Sequence, residues 1–585
     1  MRLHCAAALW LVGMAAACHA QPRLLLPPGE WSAVRPSAEH LRVSVLPREA
    51  LPPRAKEGLR LTIERRSDPF YAVAVLKDVP HAIKPGTRVR FTFLARSRTQ
   101  NPMRAVVEKV GPPYTPVIDL NVVLTPEWKR YTGTGVAPAF PPMGMGVRFQ
   151  VGHQEGEVEL ADITLTDEGP DPEAAKAREA VQPEAVEKRI RQHRTGMLTV
   201  KVVDRAGRPV SGASVSVEQT RHAFLFGCNI FVLNPSDTSE RQKAYQERFA
   251  ALLNYATLPF YWGSFEPQEG NKQYERLDAM ARWCRDRGIL TKGHPLVWHE
   301  VYPRWAPADP DAAIPLLEAR VKEIIHHYKG LVTYWDVLNE ANNAAMYPQT
   351  GVGAWIKRDG PVQVVATALK WAREASKGTN NVLLYNDFNI TAANVELIRG
   401  LQQRRMLPDA IGIQSHMHGG AWPMEKVWDT VERFAVFGKP IHFTEVTVLS
   451  GPAPSPGQST ETTPEGERQQ ADYVERFYSV LFSHPAVQAI TWWDFSDWQA
   501  WQGAPAGFLR KDMSPKPAYE RLMGLIKGRW WTKGSGTTDR AGSYRVRAYQ
   551  GDYKIVVRDG RGRTKTVEAR LPLRSKSASV QVVLE

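Results

Sequence analysis

The sequence predicts a multidomain protein built on a (β/α)8 TIM barrel, with one β-sandwich ahead of it and a second, smaller one around it. Three observations carry this. At 585 residues the chain exceeds the ordinary size of one domain. Between His222 and Ile526, strand-like text and amphipathic helical text alternate eight times. Two of the strand-like runs, Tyr334 to Glu340 and Ile441 to Glu445, are largely apolar until they end on a carboxylate. Barrel strands read that way when they deliver side chains to the carboxyl-terminal face, where barrel chemistry sits.

In chain order, residues 1–20 carry Arg2, an apolar run from Ala6 to Ala17 and a small-residue end, the pattern of a signal peptide. It implies a secreted or periplasmic protein, with a lipid anchor at Cys18 as the alternative to cleavage after Ala20. Residues 21–168 are alternating runs broken by Pro, Gly and Asp, which predicts a β-sandwich. Residues 169–196 turn to Ala, Glu, Lys and Arg between prolines, a linker with a helix near Pro183 to His193. Residues 197–220 hold two alternating strands flanking an Asp-x-Ala-Gly turn, and residues 528–585 hold strands of the same character. The expectation is one small sandwich contributed from both sides of a barrel at 221–527. Leu449 to Pro464, rich in Pro, Ser, Thr and Gly, follows Glu445 and reads as a lid or an insertion.

Eight short motifs fall at the ends of the barrel strands. They are F-G-C-N at Phe226, E-P-x-x-G at Glu266, G-H-P-L-V-W-H at Gly293, W-D-V-L-N-E at Trp335, N-D-F-N at Asn386, G-I-Q-S-H at Gly412, F-T-E at Phe443 and a tryptophan pair at Trp492. In this order they resemble glycoside hydrolase family 10, the endo-β-1,4-xylanases. The resemblance implies cleavage of internal β-1,4 bonds of xylan or a related plant β-glycan. Two carboxylates on separate strands are what such a reaction needs, and a separation of about 5–5.5 Å gives retention of configuration.

The resemblance makes Glu340 the acid/base and Glu445 the nucleophile. It places Asn339 on the sugar 2-hydroxyl, His416 with Gln414 beside Glu445, His294, Trp298 and His299 on the glycone side, and Trp493 as an apolar wall. Three departures bear on the substrate. The polar glycone motif after the second strand is replaced by the Thr257 to Trp262 stretch, which contains Phe260, Tyr261 and Trp262. Thr447 stands where an aspartate pairs with the histidine, so His416 should hold a proton less well. Asp494 follows Trp493 where the family has glycine. With a blocked glycone side, exo-action or another β-glycan is the alternative, as is a binding protein of weak activity. Residues 21–168 resemble carbohydrate-binding modules of families 4 and 9 in strand pattern, with Tyr71, Tyr114 and Trp128 as aromatic candidates.

Composition closes off other classes. The net charge of +14 is scattered among acids, with no basic run interleaved with aromatics, so no nucleic-acid partner is expected. Beyond the leader no stretch reaches the ~20 apolar residues of a membrane helix, so no transmembrane segment is expected. No Cys/His cluster has ligand spacing and no glycine loop cradles phosphate, so neither metal nor cofactor is expected. The 18 tryptophans suit stacking on sugar rings. The expected partner is a polysaccharide, met by a monomer.

Overall fold

A computed structural model describes residues 22–585 apart from 28, 30, 34–38, 68, 100, 112–113 and 456. The leader and Cys18 lie outside the described residues. The described residues form two compact units, one up to Lys176 and one from Ala177 to Glu585.

The first unit is two antiparallel sheets face to face. One runs 41–45, 58–63, 156–170, 87–96 and 129–137, with 23–24 added on the third of these; the other runs 32–33, 74–78, 145–150, 102–109 and 116–123. Alternation along Thr87–Arg96 turns Val89, Phe91, Phe93 and Ala95 inward, where Phe91 and Phe93 meet Phe149 of the other sheet. Tyr71 and Tyr114 are more than half exposed, whereas Trp128 lies under the Arg96 guanidinium.

In the second unit, strand Thr195–Asp204 lies between Ser543–Tyr549, antiparallel, and Ser577–Leu584, parallel. Strand Ser214–His222 lies between Lys533–Thr537 and Gly551–Arg558, and the latter pairs with Thr564–Leu571. Segments on both sides of the barrel thus share both sheets and one core, built on Leu198, Val200, Val215, Ile555 and Val582. The hairpin turns repeat one device, in which Asp204, Asp539 and Asp559 each accept two backbone N–H bonds from the turn ahead.

Buried Arg194 ends the helix Pro183–Arg194 and ties it to the barrel. Its guanidinium donates to the carbonyls of Phe482, His484 and Val487, which close a barrel helix and open the following strand. Arg194→Met would take a buried donor from all three carbonyls. We expect a loss of roughly 2–4 kcal/mol, read as a lower denaturation midpoint.

The barrel closes from eight parallel strands: β1 (Leu225–Asn229), β2 (Tyr255–Pro259), β3 (Leu290–His294), β4 (Tyr334–Asn339), β5 (Val382–Asp387), β6 (Ala410–Ile413), β7 (Ile441–Val446) and β8 (Val487–Trp492), which pairs back on β1. Being buried on both faces, these strands are mostly apolar, with polar side chains such as Lys292, Asp336 and Asn386 enclosed among them, and helices cover the outside. The loop after β7 is pinned rather than free. Ser450 bonds the Pro505 carbonyl and Lys516, and Thr460 donates to Gly503, so the loop lies along the turn that carries Trp501.

Candidate active site

The carboxyl ends of the strands surround a cleft of about 670 Å³. Glu340 leaves β4 in the left-handed region (φ 59°), which turns its side chain back over the barrel mouth. Its Oε2 accepts a bond from Trp298 Nε1 at 3.1 Å, and its Oε1 accepts from Gln414 Nε2 at 2.8 Å and Asn339 Nδ2 at 3.2 Å. Burial pushes the Glu340 carboxyl up to about 7; the bond from Gln414 opposes this, and the charge of Glu445 adds to it.

Glu445, on β7, goes the other way. Burial alone would raise it, but the charge of His294, the bond from His416 and the charge of Lys292 outweigh burial and hold it below the usual carboxylate range. Its Oε1 accepts from Asn386 Nδ2 at 2.6 Å, and its Oε2 lies 3.0 Å from His416 Nε2. The two carboxylates are tied through one amide cluster. Asn339 Oδ1 accepts from Asn386 at 2.9 Å and from Gln414 at 3.2 Å, the same two amides that hold Glu445 and Glu340. Gly412 is required beside it, because a Cβ there would collide with Asn386.

Below this layer Asp336 has its own partners. Lys292 Nζ lies 2.7 Å from Asp336 Oδ2, an ion pair rather than an aligned hydrogen bond, and His294 Nδ1 lies 2.8 Å from the same oxygen. The other side of the His294 ring, Nε2, is 3.8 Å from Glu445 Oε1. A chain of close polar contacts therefore runs from Lys292 through Asp336 and His294 to Glu445 inside the barrel. His416 is steadied from behind by Thr447, whose Oγ1 is 2.8 Å from His416 Nδ1.

Of the residues singled out in the sequence, Glu340, Glu445, Asn339, His294, Trp298, Gln414, His416, Trp493 and Tyr261 all line this cleft. His299 does not. It is 1% exposed, packs on Tyr347 and has neither ring nitrogen bonded. The aromatic replacement after β2 is also narrower than its sequence suggests. Phe260 is core, Trp262 is buried against Tyr302 and Trp305, and only Tyr261 reaches the cleft.

Sequence reasoning gave no role to Lys292, Asp336 or Asn386, though N-D-F-N at Asn386 was among its motifs, and it missed Trp501, which covers His416 at 4.6 Å between ring centres. Asp494 is a further cleft carboxyl, which burial pushes up to about 7; its Oδ1 accepts from the Trp501 amide and so anchors that turn. Among the described residues, His299, Glu300 and Glu340 gather ligand-type atoms within 4.8 Å of one another. The Glu340 oxygens there are already taken by three hydrogen-bond donors, which suits a carboxyl that handles a proton.

Among proteins of known activity, Endo-1,4-beta-xylanase B of Thermotoga neapolitana is 28% identical over 282 residues, 46% of this chain and 78% of that protein. Anti-sigma-I factor RsgI6 of Acetivibrio thermocellus is 26% identical over 381 residues, 63% of this chain; the match spans just under half, 46%, of that relative's length. Xylanase 10B from Thermotoga petrophila RKU-1, solved in complex with xylobiose, shares 24% identity with a TM-score of 0.45, over 52% of this chain and 95% of that one. The family model described as Glycosyl hydrolase family 10 matches residues 218–525, more than half of the sequence, and the chain belongs to that family.

Proposed function

We propose that this protein is a retaining glycoside hydrolase acting on β-1,4 bonds of xylan or a related plant β-glycan. One observation carries the reading: two buried carboxyls share an amide cluster at the barrel mouth, one held up near 7 and the other held ionised. That is the division of labour double displacement requires.

Glu445 attacks the anomeric carbon while Glu340 protonates the departing oxygen. Glu340, now a carboxylate, then takes a proton from water, whose oxygen displaces Glu445. Asn339 meets the sugar hydroxyl next to the reacting carbon, Trp493 walls the sugar, and Trp298 and Gln414 keep Glu340 in place. Binding without turnover is the competing reading. It is disfavoured because the carboxyls and their supporting amides are all present. The first unit acts in this scheme as a carbohydrate-binding module, and the chain works outside the cytoplasm.

The test is release of reducing ends from a panel of β-glycans, including plain and glucuronic-acid-decorated xylan. Product from xylan supports the reading. Silence on every glycan, with binding retained, overturns it.

The pH profile should follow the two carboxyls. Activity needs Glu340 protonated, so kcat/KM should fall as pH rises through about 7. Activity needs Glu445 ionised, and Lys292 helps to keep it so. In Lys292→Met the acid limb of kcat/KM should therefore move to higher pH. The same change takes the lysine charge from buried Asp336 and should destabilise the fold by roughly 3–5 kcal/mol. A pH–rate profile and an unfolding midpoint check both.

A further inference from the structure

The cleft is not symmetric about its two carboxyls. If Glu340 protonates the leaving oxygen, the departing sugars lie toward β4, β5 and β6, and the attacked sugar lies on the Glu445 side. On that side four aromatic rings from four different strand ends form a closed cycle. Phe231 meets Tyr261 at 5.7 Å, Tyr261 meets His294 at 5.5 Å, His294 meets Trp493 at 5.5 Å, and Trp493 meets Phe231 at 5.3 Å between centres. Rings at these separations are in van der Waals contact, edge to face, and make one continuous aromatic wall.

Tyr261 is the member that completes the cycle. It also leans on Trp298 at 5.5 Å, the residue that holds Glu340. Burial and the charges of Glu445 and Glu340 keep its phenol neutral. Nothing nearby on β2 would grip a second sugar. Thr257 is buried inside the barrel, and Phe260 and Trp262 belong to the core. After β3 the cleft is lined by apolar Val301 and by the Glu300 carboxylate. On the opposite side Phe388 is 46% exposed, and among the described residues no ring contact joins it or Trp422 to the Glu445 side.

We propose that Tyr261 determines glycone length, closing the cleft beyond the sugar that Glu445 attacks, so that the enzyme works from the non-reducing end of its glycan. Each turnover breaks one glycosidic C–O bond; water supplies the hydroxyl to the released sugar and a proton to the new chain end. The inference rests on the glycosidase reading above, and it refines internal cleavage to cleavage at the end.

The test follows β-1,4-linked xylohexaose and glucohexaose, labelled at the reducing end, with the wild-type protein, Tyr261→Ala and Tyr261→Phe. In the wild type the first labelled product should be one sugar shorter. In Tyr261→Ala the ratio of single-sugar release to mid-chain cleavage should fall about tenfold. Tyr261→Phe keeps the ring and should keep the wild-type pattern, which also controls for folding. Mid-chain cleavage as the first wild-type event, or an unchanged pattern in Tyr261→Ala, overturns the inference. Turnover of an aryl β-xyloside or β-glucoside is scored alongside. If it proceeds while the cleavage pattern is wrong, only the inference fails; if no glycoside of any length turns over, the glycosidase reading fails with it.

Discussion

Glu445→Gln should abolish turnover, lowering kcat by on the order of 10⁴ or more while leaving glycan binding nearly intact. The amide keeps the shape of the carboxylate, so the bond from Asn386 and the contact with His416 survive in altered form. What is lost is the charge that, in the proposed mechanism, attacks the anomeric carbon. The loss should be independent of the leaving group, because without the nucleophile no glycosyl-enzyme forms from any substrate. An activated fluoro-sugar that traps this intermediate should label the wild-type protein once, at Glu445, and should leave the variant unlabelled. Binding measured by calorimetry separates this outcome from a misfolded protein.

Glu340→Ala should behave differently, and the contrast is the sharper test. Removing the acid/base should cost roughly 10²–10⁴-fold on natural glycans, whose leaving oxygen needs a proton. An aryl glycoside with an acidic phenol needs none, so its first step should proceed and give a burst of phenol, followed by slow hydrolysis. Added azide, small enough to enter the space vacated by the carboxyl, should restore turnover and yield a glycosyl azide of retained configuration. Inverted product would exclude the double-displacement scheme.

Glu340→Gln should also change stability with a predictable sign. The native carboxyl is held near 7, whereas the unfolded one ionises near its ordinary value of 4.5. The native protein therefore loses stability as pH rises from about 4.5 through about 7. The amide does not ionise, so the variant's melting temperature should lack the fall that the wild type shows over that pH range, even as it stops working.

The barrel was legible in the sequence because each strand is short, apolar and bounded, and because all eight strands lie where runs such as Leu290–His294 and Tyr334–Asn339 place them. Glu340 and Glu445 were legible because a carboxylate at the end of a buried strand has little structural excuse. What was not legible depended on direction. Phe260, Tyr261 and Trp262 look alike as text, but alternation on and after β2 sends two of them into the core and one into the cleft. His299 sits next to Trp298, yet the backbone turns it away onto Tyr347. Lys292 reads as a surface lysine in any composition count; only barrel closure brings it 2.7 Å from Asp336. Trp501 lies in a loop with no periodicity, held by the left-handed residues Gln499 and Gln502, so no spacing announces that it covers His416.

The threading of the small sandwich has a consequence for biosynthesis. Strand Ser214–His222 leaves the ribosome some three hundred residues before Lys533–Thr537, its hydrogen-bonded neighbour. At about 5–20 residues per second that is a wait of roughly 15–60 seconds, during which two strands rich in valine have no partner. The barrel must therefore fold between two halves of an unfinished domain. A nascent chain stalled just after the barrel would carry a folded catalytic body with an open, adhesive sheet edge.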